Sequence, residues 1–263
     1  MDKKEYTQTN AENAYIEVSI LSELGDRTEQ QDSSGIECNG NVVLITVCDG
    51  MGGHQGGSLA SKIAVSTITN SFKDNTLVDY IGFLHNVVNE ADALVSQIQD
   101  LEGNRINAGT TMVTVIIDKN QLFWSSVGDS RMYLLRKDVF IQATVDHNYR
   151  GYLSEKLMNG EIDKEIYEIE NQRGEALLSY LGMNGLSLVD YNREPLQLMG
   201  GDSILITTDG LYKILNDSEI MGIIRNFKNN QECGKALMEK TNKMARKKKI
   251  NRDNITFALI KVK

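Results

Sequence analysis

Strand-forming segments close both ends of this chain and the long helical stretches lie between them, which restricts the folds open to it. Residues 15–22 alternate apolar and polar side chains, and NITFALIK at 254–261 is rich in the β-branched and aromatic residues that strands favour. NVVLITVCD at 41–49 predicts a strand buried on both faces. Apolar residues then recur at helical spacing from Ser58 to Phe72 and from Leu77 to Ile98, with no proline to interrupt either stretch. Segments 110–118, 121–127 and 130–136, separated by short polar turns at Lys119-Asn120 and Gly128-Asp129, predict an antiparallel meander. Strands are expected again at 187–193 and 203–208, and helices at 217–228 and 231–248. This order predicts an α+β layered fold rather than a doubly wound parallel one.

Residues 148–181 are helical in pattern, charged, and punctuated by Gly151, Gly160, Gly174 and Gly182, so they read as a flap appended to the core. Residues 1–14 are polar and read as an extension ahead of one domain at 15–263, either disordered or folded back onto the sandwich. The opening lysines are not followed by an apolar run, as a secretory signal requires, and no apolar stretch reaches the roughly 20 residues that cross a bilayer. A cytoplasmic protein without a membrane span is expected, and a monomer. Cys38, Cys48 and Cys233 form an odd set without CxxC spacing, which argues against both a disulfide framework and a thiolate metal site. A net charge of −8 disfavours a nucleic-acid partner. The ARKKK run ending at Lys249 is either a solvated helix terminus, with cations at the carbonyl end of the dipole, or a patch for an acidic partner.

Chemistry is signalled by aspartates that recur where predicted strands stop. Asp49 follows LITVC and precedes GMGGHQGG, Asp209 follows ILITT and precedes Gly210, Asp129 sits in the VGDSR turn, and Asp253 immediately precedes the last strand. A carboxylate at a strand end followed by glycine can be aimed inward while the turn lets a carbonyl approach the same ligand. Two unneutralised carboxylates about 4 Å apart repel by about 4 kcal/mol at an effective dielectric near 20, a conflict that a divalent cation removes. All-oxygen donors suit Mg²⁺ or Mn²⁺ better than Zn²⁺, and two such ions suit phosphate hydrolysis. Asp49, Asp129 or Asp209 taken alone reads more readily as a turn former than as a ligand. The glycine run resembles a phosphate-cradling loop but lacks the GK[ST] ending of a nucleotide site.

Seven segments taken in order carry a resemblance: GDRTEQQDS (25–33), VCDGMGGHQGG (47–57), AGTTMV (108–113), VGDSRMYLLR (127–136), DHN (146–148), ITTDGLYKIL (206–215) and RDNITF (252–257). They are similar to the successive motifs of the type 2C, metal-dependent serine/threonine protein phosphatases in their compact bacterial form. The resemblance implies an α-β-β-α sandwich, in which two antiparallel sheets pack face to face between helices. It also implies a dinuclear Mg²⁺ or Mn²⁺ centre at one edge, where metal-bound water attacks phosphorus directly. By motif position Asp49 would bridge both ions, Gly50 would offer its carbonyl to one, Asp209 and Asp253 would ligate the other, and Asp32 would act mostly through bound water. Asp129 falls at the position of a third ion, and Arg27 at that of the arginine that grips the substrate phosphate, a task suited to a forked guanidinium.

The chain departs from the family in places. The opening motif usually reads R-x-x-N-x-D, whereas Gln30 stands here for Asn and Gln31 replaces a glutamate of many eukaryotic members. His54 follows the DGMGG turn, where it could act as general acid or stabilise the loop. His147 is expected to order the start of the flap, and neither it nor His85 is expected as a ligand. Expected partners are proteins phosphorylated on serine or threonine, with the enzyme opposing a protein kinase or resetting a regulatory phosphoserine switch such as an anti-anti-sigma factor. The alternative is a catalytically weak phosphatase-like module that binds phosphoproteins or a partner kinase.

Overall fold

The computed structural model describes residues 6–53, 56–73, 79–100 and 102–263. The strands in chain order are β1 (Tyr6–Glu12), β2 (Ile16–Glu23), β3 (Asp32–Asn39), β4 (Val42–Met51), β5 (Gly109–Thr110), β6 (Met112–Asp118) and β7 (Gln121–Val127). They continue with β8 (Arg131–Arg136), β9 (Val139–Gln142), β10 (Asp190–Tyr191), β11 (Leu196–Gln197), β12 (Ser203–Thr207) and β13 (Ile255–Val262). The helices are α1 (Gly56–Lys73), α2 (Tyr80–Val95), α3 (Tyr149–Met158), α4 (Lys164–Glu170), α5 (Asp209–Tyr212), α6 (Asp217–Asn226) and α7 (Asn230–Lys248). One sheet runs β1-β2-β13-β12-β8-β9 and the other β10-β7-β6-β4-β3, with β5 on β4 and β11 on β7. Their ladders are antiparallel, so the expected α+β sandwich of two antiparallel sheets between helices is the fold observed.

Strand periodicity builds this arrangement, because successive side chains of a buried strand serve two different cores. In β4, Val43, Ile45 and Val47 face the other sheet while Leu44 and Cys48 face α1 and α2. In β13, Ala258, Ile260 and Val262 enter the inter-sheet core while Ile255, Phe257 and Leu259 pack against α5, α6 and α7. The buried hydroxyls of Thr46 and Thr114 hydrogen-bond each other at 2.8 Å on the helix side of the second sheet.

Several sequence expectations need correction. Residues 6–12 of the polar extension take the fold-back alternative and not the disordered one, pairing along β2 from Tyr6↔Glu23 to Glu12↔Glu17. They form a sheet edge, where one face meets water and polar residues suffice. The expected three-strand meander breaks at Gly128-Asp129: β6 and β7 pair in one sheet, but β8 pairs with β12 and β9 in the other. That turn is a crossing between sheets. β3 and β9 were not expected as strands, and 187–193 yields only the two-residue β10. β3 has few large apolar residues because Gly35 lies against Val65 and Thr69 of α1, where a Cβ would meet each at 2.8 Å.

Residues 148–181 project from this frame as α3, α4 and an irregular return. The return is tied down by Asp92 of α2, a carboxylate only 4% exposed. It accepts the amides of Gly182 (2.7 Å), Asn184 (3.2 Å) and Gly185 (2.7 Å), a loop that turns through φ of +110°, +61° and +137°. Asp92→Ala leaves three donors without their acceptor and is expected to cost about 2–3 kcal/mol. A lower urea midpoint at unchanged slope is the expected signature, and an unshifted midpoint would refute this role for Asp92.

Candidate metal centre

β3 and β4 pair so that Asp32 stands directly across from Asp49. Like charges opposite one another in a ladder are unfavourable, so this pairing needs a compensating interaction. The backbone around Asp49 is held by the AGTT segment: its N–H donates to Thr111 Oγ1 at 2.9 Å, and its carbonyl accepts from Thr111 N and Thr110 Oγ1, each at 2.9 Å. Beyond it, Gly50 approaches α1 so closely that a Cβ would overlap the carbonyls of Gly57 and Gln31, which is why glycine follows the aspartate.

Asp209 and Asp253 arrive from the first sheet. β12 ends at Thr207 and Asp209 opens α5, while Asp253 lies just ahead of β13, the neighbour of β12. The loop after β2 is folded over Asp253: Gly25 (φ +68°) packs against the Asp253 carbonyl, and Asn254 Nδ2 donates to the carbonyls of Leu24 (2.9 Å) and Glu29 (3.1 Å). Arg252 anchors the same loop through Asp26 (2.6 Å) and Glu23 (2.7 Å), and the Arg252 hydrogen bonds hold the Asp26 carboxyl down at about 2. Arg27 is thereby delivered to Asp253, with Nη2 to Oδ2 at 2.5 Å.

Arg27, Asp49, Gly50, Asp129, Asp209 and Asp253 line one cavity of about 580 Å³. Asp32 does not; it lies buried behind the others, and Thr208 Oγ1 donates to its Oδ2 at 2.9 Å. Burial pushes the Asp32 carboxyl up to about 8, and the carboxylates of Asp209 and Asp253 add to this against the hydroxyls of Thr208 and Thr256. Burial, with Asp32, Asp209, Asp129 and Asp253 nearby, raises Asp49 well above the usual carboxylate range. Burial and then Asp209 push Asp129 up to about 6. His54 lies outside the described residues.

Sequence reasoning named Arg27 but missed Lys213 and the flap residues that face these groups. Lys213, one helical turn after Asp209, holds it at 2.6 Å and also reaches Glu175 on the flap at 2.5 Å. Its i,i+4 spacing from Asp209 was the available signal. Asn148 caps α3 and donates to Asp129 Oδ2 at 3.4 Å, and Tyr212 Oη donates to the Asp129 carbonyl at 2.9 Å. Glu175, Leu177 and Tyr180 bring the end of the flap to the cavity wall. With Asp209 and Asp253 each held by a cationic side chain, no three acidic, imidazole or thiol groups among the described residues are gathered as a metal-ligand cluster. The aspartates expected to meet around shared cations therefore share a cavity and a field. The donors are all oxygen and their charge is uncompensated at Asp32 and Asp49, a set that fits hard divalent cations.

The protein phosphatase 2C family model matches residues 11–150. The serine/threonine phosphatase Stp of Listeria welshimeri is 30% identical over 239 residues, 89% of this chain and 90% of that protein. The chain belongs to the protein phosphatase 2C family. Solved structures agree on the 2C fold. The serine/threonine phosphatase of S. agalactiae superposes with a TM-score of 0.82 at 24% identity, covering 95% of this chain and all of that one. The catalytic domain of PstP, solved with two manganese ions, gives 0.75 at 23% identity, covering 94% and 98%.

Against the 2C opening motif, both glutamines that depart from the pattern have structural work. Gln30 accepts from the Asp32 amide at 3.1 Å and donates to Ser22 at 3.0 Å. Gln31 lines the cavity and its Nε2 donates to the Gly52 carbonyl at 3.3 Å, while its backbone N donates to Asn254 Oδ1 at 2.8 Å and its carbonyl accepts from Ser61 Oγ at 2.6 Å. His147 is likewise structural: Nδ1 accepts from Gly128 N at 3.2 Å, and burial lowers its pKa.

Proposed function

We propose that this chain is a metal-dependent protein phosphatase that hydrolyses phosphoserine and phosphothreonine. The observation that carries the reading is that aspartates from separate parts of the sequence crowd one polar cavity with an arginine at its rim. In this reading Asp49, the Gly50 carbonyl, Asp209 and Asp253 would hold a pair of Mn²⁺ or Mg²⁺ ions, with Asp32 supporting that pair from behind and Asp129 available to a third ion. When bound, such ions supply positive charge to the phosphoryl oxygens and acidify a water nucleophile. The chain's own residues orient the substrate. Arg27 is well exposed, so its guanidinium can turn from Asp253 to fork onto two phosphate oxygens once that carboxylate has another counter-charge. The Arg252 and Asn254 bonds keep its loop in place during that exchange.

We further propose phosphorylated proteins as substrates, a protein kinase as the opposing activity, a cytoplasmic location and a monomeric state. None of the described helices is long and apolar enough to cross a membrane. The aspartates and Arg27 that line the cavity favour an enzyme over a binding module, and of the two glutamine departures only Gln31 lines that cavity. The test is hydrolysis of a phosphothreonine peptide and of p-nitrophenyl phosphate with Mn²⁺, abolished by EDTA; a rate that ignores EDTA overturns the reading. Arg27→Ala is expected to raise KM about tenfold, the loss of a charge-assisted bidentate contact, with a smaller effect on kcat. An unchanged KM would show that Arg27 does not touch the phosphate.

A further inference from the structure

A second depression, of about 340 Å³, opens beside the metal cavity and shares Asn107, Ala108 and Tyr180 with it as a common wall. That wall is built into the frame. The Tyr180 ring lies so close over Gly109 that a Cβ there would overlap it, and Leu181 exchanges both backbone hydrogen bonds with Thr110, at 3.0 and 2.9 Å. The Asp92 clamp on residues 182–185 fixes the far side. The rest of the lining is apolar at Ile106 and Met183, with one charged group, Arg105.

Arg105 differs from the other cations in this region. Arg27, Arg150 and Lys213 each hold a carboxylate, at 2.5 Å or slightly more. Arg105 is exposed, and its guanidinium has no ion-pair partner among the described residues. We propose that this groove receives an acidic side chain of the substrate protein, close in sequence to the phosphorylated residue, and that Arg105 is the specificity-determining group. The proposal rests on the phosphatase reading above. A phosphorylated side chain in the metal cavity leaves its peptide to cross the rim, and the Tyr180 wall leads directly into the groove. There the methylenes of a glutamate find Ile106 and Met183, and its carboxylate finds a forked donor. Elsewhere the metal cavity is lined by Glu175 and the aspartates, which repel the same group, and its cations Arg27 and Lys213 are already held by carboxylates.

The experiment compares kcat/KM for phosphothreonine peptides that carry Glu or Lys at each of the flanking positions, with p-nitrophenyl phosphate as a substrate too small to reach the groove. The wild-type protein is expected to prefer Glu at one position by about fivefold, the upper range for a partly exposed ion pair. Arg105→Lys should keep this preference, Arg105→Ala should level it, and Arg105→Glu should invert it, all with p-nitrophenyl phosphate turnover unchanged. Equal treatment of all peptides by the wild type, or a Glu preference that persists in Arg105→Glu, overturns the subsite. A parallel loss of p-nitrophenyl phosphate turnover in Arg105→Ala also overturns it, by assigning Arg105 to the metal cavity. A wild-type protein that hydrolyses neither peptide nor p-nitrophenyl phosphate overturns the phosphatase reading itself and this proposal with it.

Discussion

Asp49→Asn is expected to lower Mn²⁺-dependent turnover of p-nitrophenyl phosphate by a factor of about 10² to 10³, while leaving the metal-free fold at least as stable as the wild type. Both halves follow from the position of Asp49 opposite Asp32 on β3 and β4. The amide is nearly isosteric and takes away a carboxyl whose charged form is opposed by burial and by Asp32, Asp209, Asp129 and Asp253, so folding without metal becomes easier. With metal, the same change removes the anionic donor proposed to serve both ions. Urea titrations in EDTA and steady-state assays in Mn²⁺ measure the two effects separately. A variant with wild-type turnover would end the case for a metal centre at this aspartate.

A Mn²⁺ titration should raise the melting temperature by about 5–10 °C, since a ligand at a hundred times its Kd adds about 2.7 kcal/mol and each kcal/mol shifts a chain of this size by about 2–4 °C. The gain should grow with pH. Unfolded aspartates titrate near 3.9, whereas Asp129 is pushed up to about 6 and Asp32 to about 8 in the folded chain. Between those values the folded state binds more protons than the unfolded one, so metal-free stability is highest below pH 4 on this account and is lost as pH rises through 6 and 8. Divalent cations replace those protons as counter-charge. Melts in EDTA at pH 5 and pH 8 test this against the same pair in Mn²⁺, and Asp32→Asn should flatten the EDTA profile. A metal-free protein whose melting point is unchanged across this range, and indifferent to Mn²⁺, would show that burial and the neighbouring carboxylates do not raise Asp32 and Asp129.

The site was legible where a side chain's role is set by its own neighbours in sequence. The β-branched run before Asp209 announced the end of β12, the run before Asp49 announced β4, which continues past it to Met51, and the ordered motifs supplied Arg27 and Asp253. What escaped depends on contacts between distant segments. The two residues at Gly128-Asp129 look like a hairpin turn, because nothing local says that β7 and β8 find neighbours in different sheets. β3 hides because its partners, α1 and β4, supply the bulk that it lacks. Asp92 reads as an ordinary helix residue until the loop 90 residues later arrives on it. Lys213 could have been flagged by its spacing from Asp209, but Glu175 and Tyr180 could not, since the flap's return path follows no periodic pattern.

The flap enters at His147 and Asn148, bonded to Gly128 and Asp129, and leaves at Leu181, paired with Thr110, and Leu177 bridges back to Asn148. Entrance and exit are thus stitched together independently of the helices between them. A loop closed in this way can double in length for about 0.6 kcal/mol of closure entropy. The segment from α3 to the end of α4 is therefore an interchangeable cassette, which evolution or an engineer can graft, shorten or extend to face new proteins while the catalytic floor beneath it stays as it is.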